Sequence, residues 1–485
     1  MSRRDEVLAA LGAIVGEAQV RSDPGELLAY ECDGFPIAKG VAWGVVLPGD
    51  AEQAAGCMAA LHRHGVVGVP RGSGTGLTGG CVGFGEAVIV CTSRMTRVLE
   101  IDPSGRTACV EAGVLNGALT RAVGARGGGE RLHFAPDPSS QAASTVAGNV
   151  ASNAGGLHTL KYGVTSEHVL GVEVVLADGT VVRSRGGLAE GVGPNVTGVV
   201  CGSEGTLGLV TKAWVRLTAR PRAFRTVVAI FDDSSNASAA VGAIIGSGIV
   251  PAAMEMMDGK MVEVVEDAFG FGFPREARAL LLIEVDGVEP ALEEEMERVA
   301  GVCRSKHAGR VDHSGDPARR AELWSARKRA FGAIGRISRS YCTQDACVPR
   351  SKLPEVLERC GAIGRKYGMT ITNVFHAGDG NVHPILLFDE DDPAQVRATM
   401  EASREILEYC IAIGGSLTGE HGVGVEKLSL MRVMFDGPTL ESFAAVKRAF
   451  DPGGLANPGK LLPSADHDVD LFGPPGGKSP GGALA

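Results

Sequence analysis

The stretch that decides the fold of the first half of the chain is Pro70-Arg71-Gly72-Ser73-Gly74-Thr75-Gly76-Leu77-Thr78-Gly79-Gly80. It follows the apolar run 66–70, which is typical of a short buried strand. Backbone N–H groups in such a loop form a concave site for pyrophosphate, and the missing side chains admit a flat ring system. Two further glycine clusters, 145–156 and 202–208, lie in the same region. Together they predict a nucleotide cradle, with tight turns as the alternative interpretation.

The first cluster contains a GxGxxG pattern, Gly74 to Gly79, with Glu100 about 20 residues further on. In a dinucleotide-binding βαβ unit a helix must open at that turn. Residues 76–86 hold five glycines before the next apolar run, and glycine disfavours a helix. No crossover helix fits there, so the NAD interpretation is rejected.

Composition places the chain among globular proteins and excludes several classes. It has 485 residues, 44% of them hydrophobic, and a net charge of −10, which gives no support for binding nucleic acid. Eleven cysteines without a CxxC pair argue against zinc-ribbon and iron–sulfur sites and favour reduced thiols in the cytoplasm. Asp5 and Glu6 stand where a signal peptide needs apolar residues. The apolar run 239–254 is too short to span a bilayer, so we expect no transmembrane segment.

The order of strand and helix patterns predicts an α+β fold in more than one domain. We expect an N-terminal helical segment (1–37), a first domain (38–219) and a second domain (220–420). A C-terminal helical segment (421–463) and a disordered Gly/Pro-rich tail (464–485) follow. The second domain alternates strands and helices in a way that suggests a ferredoxin-like sheet with helices on one face. The segment 216–225, with Pro221 and four arginines, is the predicted linker.

The glycine clusters, together with PDPSS (136–140), Lys161-Tyr162-Gly163 and GSEGTLGLVT (202–211), resemble the FAD-binding domain of the p-cresol methylhydroxylase-type flavoproteins. The resemblance implies a two-lobed α+β domain with pyrophosphate on the first loop and isoalloxazine against 137–140 and 145–156. Asn457-Pro458-Gly459-Lys460 resembles a family motif that returns to the flavin. The cofactor-binding residues so implied are Pro70, Arg71, Gly72, Ser73, Gly74, Thr75, Gly76, Leu77, Pro136, Asp137, Ser139, Ser140, Thr145, Gly148, Asn149, Ser152, Asn153, Gly155, Gly156, Tyr162, Gly163, Glu204, Gly205, Leu209, Val210 and Asn457.

The same resemblance bears on how FAD is attached. Some members of the family bind FAD covalently through a histidine in the first loop. Thr75 stands near that position, and no histidine lies within 70–80. The resemblance therefore implies non-covalent FAD.

A second group of residues points to a metal. His376 and His383 lie on the two limbs of a predicted hairpin, 370–388, and as a cross-strand pair their imidazoles would lie about 5 Å apart. Glu420 and His421 are flanked by glycines, so both side chains could enter one cavity. Two histidines and a carboxylate suit Zn, Mn or Fe(II). The alternative is that each histidine is an ordinary, partly buried residue.

HAGDGNVH (376–383) and TGEHGVG (418–424) resemble segments of FAD-linked 2-hydroxyacid dehydrogenases. That resemblance implies His376, His383 and Glu420 as metal ligands and His421 as the catalytic base. It also implies Arg327 as the residue that binds the substrate carboxylate, with Arg336 as second choice.

The resemblance is strongest to the group of glycolate oxidase D-subunits and D-lactate dehydrogenases, which implies a small substrate, glycolate or D-lactate. Members that oxidise a longer diacid carry Thr and Lys where we place Phe331 and Thr343, and the loss of both polar residues favours a small monoacid. D-2-hydroxyglutarate dehydrogenase-like activity is the alternative. Two rival interpretations are a catalytically silent FAD-binding subunit and a hydrolytic metal site beside an ordinary nucleotide.

The resemblance to glycolate oxidase D-subunits also implies partners, because the electrons must be passed to an acceptor. Glycolate oxidase D-subunits work beside a second flavoprotein-like subunit and an iron–sulfur subunit. The electron acceptor stays open between an iron–sulfur partner subunit, a quinone and a soluble acceptor. The chain could also form a homodimer. We expect a cytoplasmic protein, or one held at the inner face of the membrane through a partner.

Overall fold

The computed structural model describes residues 1–184 and 193–463, so the predicted disordered tail lies outside the described residues. The chain divides into two compact units. The first comprises Met1–Gly155, Val164–Arg220 and the described part of Glu420–Ala485, and the second comprises Gly156–Gly163 and Pro221–Gly419. The boundary between the units at Arg220 falls inside the predicted linker, 216–225. Most of this segment is strand, because only residues 220–222 separate strand Thr218–Ala219 from strand Ala223–Phe231.

The first unit contains two main sheets, as expected for a two-lobed FAD-binding domain. One sheet has four strands, of which three run parallel, in the order Val20–Arg21, Ala42–Val46, Gly85–Cys91 and Val67–Arg71. The other is antiparallel with five strands, in the order Val98–Asp102, Thr107–Glu111, Leu209–Arg216, Val169–Val175 and Val181–Arg183. A two-stranded pair is formed by Leu132–His133 and Thr218–Ala219.

The three longest helices before residue 130 bury apolar residues in the first unit. Helix Arg3–Val15 starts at a capping box between Ser2 and Asp5 and packs its Val7 and Leu11 into the core. The other helices are Pro24–Leu27, Ala51–Arg63, Asn116–Ala125, Val146–Ser152, Val196–Val200, Met431–Met434 and Gly437–Phe450, with 3₁₀ turns at Glu17–Gln19, Leu28–Tyr30, Thr165–His168 and Leu428–Leu430.

The second unit is built on an antiparallel sheet of nine strands. Seven run in the order Arg310–Ser314, Ala223–Phe231, Ala279–Gly287, Ala253–Asp258, Ile371–His376, Asn381–Val382 and Ala346–Cys347. Pro384–Phe388 also pairs with Ile371–His376 and carries Ser340–Thr343 on its other edge. The helices are Thr159–Tyr162, Ser234–Gly246, Gly259–Phe269, Glu289–Ser305, Pro317–Lys328, Ala330–Ile334, Leu353–Tyr367 and Pro393–Ala412, with a 3₁₀ turn at Arg350–Lys352. The predicted α+β fold class is confirmed in both units.

The interior of the second unit explains why its central strands stay in place. Strand Ala279–Gly287 is buried along eight of its nine residues, and helix Gly259–Phe269 packs Met261 and Val265 against the same core. Two charged residues of the central strands, Glu255 and Glu284, are nevertheless almost fully buried. A buried carboxylate requires partners, and those of Glu255 belong to the site described below. In the described part of the chain, no helix has the length and apolarity needed to cross a membrane.

Candidate functional site

The three glycine clusters converge within the first unit. A Cβ added to Gly72 would lie 2.4 Å from Thr145 Oγ1, and one added to Gly205 would lie 2.9 Å from Pro70 Cγ. The third cluster also reaches the second through the amide of Glu204, which donates to Ala151 O at 2.8 Å. Contacts this short leave no room for side chains, so glycine is required where the loops meet. The sequence clusters therefore form one backbone cradle.

Polar atoms in and beside this cradle fit a bound cofactor. Ser144 Oγ, Asn149 Nδ2 and Asn457 Oδ1 are buried and have no hydrogen-bond partner among the described residues. A buried polar atom without a partner costs free energy, so such a group usually meets a ligand or water. The loop between Arg71 and Gly74 follows the strand end with Gly74 at φ +71°, a conformation that side chains rarely adopt. The residues present therefore suit a dinucleotide such as FAD.

Glu204, implied as a cofactor residue, contacts the backbone of a later segment with its side chain. Its carboxylate accepts hydrogen bonds from the amides of Val423 (2.6 Å) and Gly424 (2.7 Å), which follow His421 in the chain. Burial raises the pKa of Glu204, although these two amides act in the opposite direction. The side chain therefore holds the segment that carries His421, and the sequence alone did not indicate this role.

Asn457 and Lys460 tie the C-terminal motif to the same loops. Asn457 Nδ2 donates to Gly80 O (2.9 Å) and to Glu204 O (2.8 Å). Lys460 Nζ donates to Val82 O at 2.9 Å, and burial lowers the pKa of this lysine to about 8. The motif thus contacts the first and third glycine loops, and its return to the flavin stays a prediction.

Other implied cofactor residues take part in the fold with their side chains. Arg71 donates to the carbonyl oxygens of Tyr30 and Cys32, at 3.4 and 3.0 Å. Thr145 caps helix Val146–Ser152 by accepting from Gly148 N at 3.1 Å. The two implied residues of strand Leu209–Arg216 belong to the hydrophobic cores. The remaining implied residues of the first unit lie in its loops or on helix Val146–Ser152: Ser73, Thr75, Gly76, Leu77, Pro136, Asp137, Ser139, Ser140, Ser152, Asn153 and Gly155.

Three implied cofactor residues, Gly156, Tyr162 and Gly163, belong to the second unit rather than the first. Tyr162 Oη donates to Asp286, and Lys161 Nζ pairs with the same carboxylate. Burial and this hydrogen bond raise the pKa of Tyr162. The buried Asp286 thus fixes the segment to strand Ala279–Gly287.

His376 and His383 lie together in the second unit, with ring centroids 5.1 Å apart and rings nearly perpendicular. The predicted hairpin is present, but the two histidines are not directly opposite each other. The register pairs His376 with Asn381 and Asn373 with Pro384, which places Val374 opposite His383. They are diagonal neighbours on one face, still close enough to share an ion.

Each histidine presents its Nδ1 atom to an acceptor. His376 Nδ1 lies 2.6 Å from Glu255 Oε1, and His383 Nδ1 lies 3.3 Å from Gln344 O and 3.7 Å from Asp345 Oδ1. Acceptors at Nδ1 select the tautomer in which Nε2 carries the lone pair, as in histidines that bind metals through Nε2. The donor set therefore fits a divalent metal.

Arg327 is buried beside this pair. Its Nε donates to Glu255 Oε2 at 2.7 Å, and both side chains are almost completely excluded from solvent. Burial would raise the pKa of Glu255, but His376 and Arg327 hold it below its ordinary value. Arg336, by contrast, is exposed, donates to Ala268 O at 2.8 Å and lies over the Phe269 ring.

Glu420 and His421 open the last segment of the first unit. The residues just before them are fixed in the second unit. Thr418 Oγ1 and Gly419 N both donate to Asp345 Oδ2, at 2.5 and 2.9 Å. A Cβ on Gly419 would lie 2.3 Å from Asn381 Oδ1, so this position requires glycine. Asp345 therefore links His383 to the residue that precedes Glu420 in the chain.

Comparison with known proteins identifies the chain. Residues 42–185 match a model of an FAD-binding domain, and residues 220–461 match the C-terminal domain of FAD-linked oxidases. The glycolate oxidase subunit GlcD of Escherichia coli is 41% identical over 470 residues, which cover 97% of this chain and 93% of the relative. The chain belongs to the FAD-linked oxidases. As a member of that family, it is an FAD-dependent oxidoreductase.

Other members of the FAD-linked oxidases align over most of their length. The glycolate oxidase subunit GlcD of Bacillus subtilis is 37% identical (90% of this chain, 92% of the relative), and a D-lactate dehydrogenase of Archaeoglobus fulgidus is 32% identical (86% and 91%). Among solved structures, p-cresol methylhydroxylase superposes with a TM-score of 0.78 at 18% identity, covering 95% of this chain and 96% of that chain. The 4-ethylphenol oxidase of Gulosibacter chungangensis gives 0.78 at 20% identity, over 95% and 98%. These structures show the shared fold.

Sequence reasoning missed two carboxylates of this oxidase, Glu255 and Asp345. Glu255 stands in the otherwise apolar run 252–257, Ala-Ala-Met-Glu-Met-Met, and Asp345 follows strand Ser340–Thr343, in which three of the four residues are buried. A single charged residue in a buried strand signals a buried partner, because an unpaired charge is too costly there. The sequence therefore indicates that such a carboxylate has a buried partner, but it does not show which residue the partner is.

Proposed function

We propose that this FAD-linked oxidase converts a small 2-hydroxy acid into the 2-oxo acid. Glycolate is the first candidate and D-lactate the second, because the two relatives of higher identity are named glycolate oxidase subunits and the third a D-lactate dehydrogenase. The observation that carries the proposal is the buried group His376, His383, Glu255 and Arg327, which combines metal donors with an arginine.

Oxidation of a 2-hydroxy acid removes the hydroxyl proton and a hydride from the α-carbon, leaving a 2-oxo acid. Non-covalently bound FAD would supply the acceptor for the hydride. The loops around Gly72, Asn149 and Gly205 would hold it, since these positions combine close backbone approach with unpartnered polar atoms. The protein thereby orients the substrate carbon and excludes water.

His376, His383 and Glu420 would hold a divalent metal, Zn, Mn or Fe(II). A metal supplies Lewis acidity, which lowers the pKa of a bound hydroxyl group. The orientation of the two imidazoles supports this assignment. His421, next in the chain after Glu420, would accept the hydroxyl proton at an imidazole nitrogen.

Arg327 would bind the substrate carboxylate. Its Nε is engaged by Glu255, while a guanidinium carries two further nitrogens in the same plane. A planar pair of donors suits a carboxylate, and burial strengthens the interaction. We prefer Arg327 to Arg336, because the exposed Arg336 is already placed over Phe269 and against Ala268.

Repeated turnover would require an electron acceptor beyond the flavin. Relatives named as subunits of glycolate oxidase support transfer to a partner chain, an iron–sulfur subunit in our proposal, with a quinone as the alternative acceptor. Such a partner would also hold the chain at the inner face of the membrane. Reoxidation of the reduced protein by a soluble quinone analogue, with and without candidate partner chains, distinguishes the two acceptors.

The test of the proposed function is flavin reduction under anaerobic conditions with a panel of D- and L-2-hydroxy acids. We expect glycolate or D-lactate to bleach the flavin absorbance. Glu420→Gln should lose metal, keep FAD and recover activity partly with added metal. His421→Asn should keep both and reduce its flavin about 10²–10⁴-fold more slowly, the usual contribution of a general base.

Two results would contradict these roles. If no 2-hydroxy acid bleaches the flavin of the metal-loaded protein, the proposed activity is wrong and the silent-subunit interpretation gains. If His421→Asn is reduced at the wild-type rate, or Glu420→Gln binds metal normally, the residue assignments are wrong even where the activity stands.

A further inference from the structure

We infer that Glu255 is a positioning residue that orients a metal ligand and the substrate-binding arginine with the two oxygens of one carboxylate. The inference rests on the proposed function, because it takes His376 as a metal ligand and Arg327 as the carboxylate-binding residue. Glu255 contacts His376 and Arg327, and it would act through them without touching the metal or the substrate. Its role would be to make metal binding and substrate binding depend on each other.

The position of Glu255 is set by the sheet. It lies on strand Ala253–Asp258 and pairs directly with His376 on the antiparallel neighbour Ile371–His376. Residues paired in this way project side chains to the same face a few ångströms apart. Arg327 reaches the same carboxylate from the last turn of helix Pro317–Lys328. Two elements far apart in the sequence therefore meet at one side chain.

Each oxygen of Glu255 serves one donor. Oε1 accepts from His376 Nδ1 at 2.6 Å, and Oε2 accepts from Arg327 Nε at 2.7 Å. All three side chains are at most 5% exposed, so water cannot replace a lost partner. An ionised carboxylate has only acceptors and can satisfy both donors at once. Glutamate is therefore suited to fix the imidazole and the guanidinium together.

Glutamine at this position cannot do the same. Its amide offers one oxygen and one NH₂ group, so either the imidazole N–H or the guanidinium N–H would face another donor. The side chain of either His376 or Arg327 would then rotate away from its present orientation. A metal held through a misoriented histidine binds about 10–100-fold more weakly, which is the usual effect of losing such a partner.

The experiment compares the full-length wild type with Glu255→Gln, each stripped of metal and titrated with Zn²⁺ or Mn²⁺ alone by calorimetry. We expect the affinity for the metal to fall by about tenfold or more. At saturating metal, the KM for the hydroxy acid that reduces the wild type should also rise by about tenfold or more, because Arg327 loses its fixed orientation. The ratio of FAD to protein should stay that of the wild type.

Glu284→Gln is the matched control. Glu284 is equally buried in the same sheet and accepts from Arg320 and from Trp324 Nε1, but it contacts neither His376 nor Arg327 in the described structure. It removes the same charge from the same kind of environment. We expect a lower melting temperature in this variant with wild-type metal affinity and KM.

Glu255→Asp provides a second variant if Glu255→Gln does not fold. It keeps the charge but is shorter by one methylene, so it cannot span both donors, and we expect the same two losses in a protein of nearly normal stability. Wild-type metal affinity or wild-type KM in a folded Glu255 variant would overturn the inference, as would equal losses in Glu284→Gln. Failure of the proposed function looks different, because the wild type itself would then show no reduction by any hydroxy acid.

Discussion

Buried carboxylates hold loops and side chains of this oxidase in place, because a carboxylate accepts hydrogen bonds from two donors at once. Glu204 does this for a backbone segment, and Glu255 does it for two side chains. The cost of burying each charge is offset by charge-assisted hydrogen bonds. Both residues are therefore expected to tolerate substitution poorly, including the isosteric change to an amide.

We predict that Glu204→Gln destabilises the first unit and slows catalysis. The amide can accept from only one of the two N–H groups, so the amide of Val423 or Gly424 loses its acceptor, at a cost of about 1–3 kcal/mol. His421 lies two residues before Val423, and its position should loosen accordingly. Thermal unfolding and the rate of anaerobic flavin reduction measure the two effects.

The control for this prediction is Glu26→Gln, which removes the same charge from an exposed position of the same unit. Among the residues that the structure describes, Glu26 forms one ion pair, a 3.5 Å contact with Arg21 at the surface, which contributes little. Equal melting temperatures and equal reduction rates for the two variants would contradict the role of Glu204.

At the scale of elements, the first glycine loop and helix Val146–Ser152 form one cofactor-binding element. The N-cap of that helix, Thr145, lies against Gly72 so closely that a methyl group has no room. The helix and the loop are thus in direct contact, with no space between them for a side chain. Substitutions at their contact should act on cofactor binding more than on the sheets behind it.

We predict that Gly72→Ala lowers the FAD content of the purified protein. The added Cβ would lie 2.4 Å from Thr145 Oγ1, so the loop or the cap must shift and the backbone amides lose their arrangement. The ratio of flavin absorbance to protein absorbance measures the effect. Gly127→Ala is the matched control, since a Cβ there meets nothing within 4 Å. Full FAD occupancy in Gly72→Ala would show that the loop adapts and that the cradle is less rigid than described.

At the scale of the whole molecule, the two units carry different parts of the proposed chemistry. The glycine loops lie in the first unit, and the histidine pair with Glu255 and Arg327 lies in the second. The chain crosses between the units at four places, next to residues 155, 163, 220 and 419. None of the proposed metal ligands belongs to the glycine loops, so loss of the metal should leave FAD bound.

We predict that a strong chelator removes activity without removing FAD. The rate of flavin reduction by the best hydroxy acid should fall at least about tenfold, because the hydroxyl group loses its Lewis acid. The flavin spectrum without substrate should stay unchanged, and added Zn²⁺, Mn²⁺ or Fe²⁺ should restore the rate. A chelated protein that reduces its flavin at the original rate would exclude a catalytic metal, whereas loss of flavin together with metal would show that the two sites depend on each other.

The sequence by itself determined the cofactor class, the α+β fold and the residues that could carry the chemistry. Glycine at the loops of the cradle is a local requirement of the backbone, so these loops can be recognised from the sequence alone. The histidines of 376–383 are separated by a short hairpin, and their proximity follows from strand geometry. Their exact pairing did not, because the register placed Val374 opposite His383.

Only the tertiary structure decided which buried charges meet. Glu255 is 72 residues from Arg327 and 121 from His376 in the chain, and Glu204 is 219 residues from Val423. No local pattern encodes such pairs, because they depend on how strands are ordered in a sheet and on which helix packs over them. The assignment of Gly156–Gly163 to the second unit has the same cause, since its polar side chains are held by the buried Asp286, more than 120 residues later in the chain. Local conformation is determined by residues that are neighbours in the sequence, whereas the partners of buried charges are determined by tertiary packing.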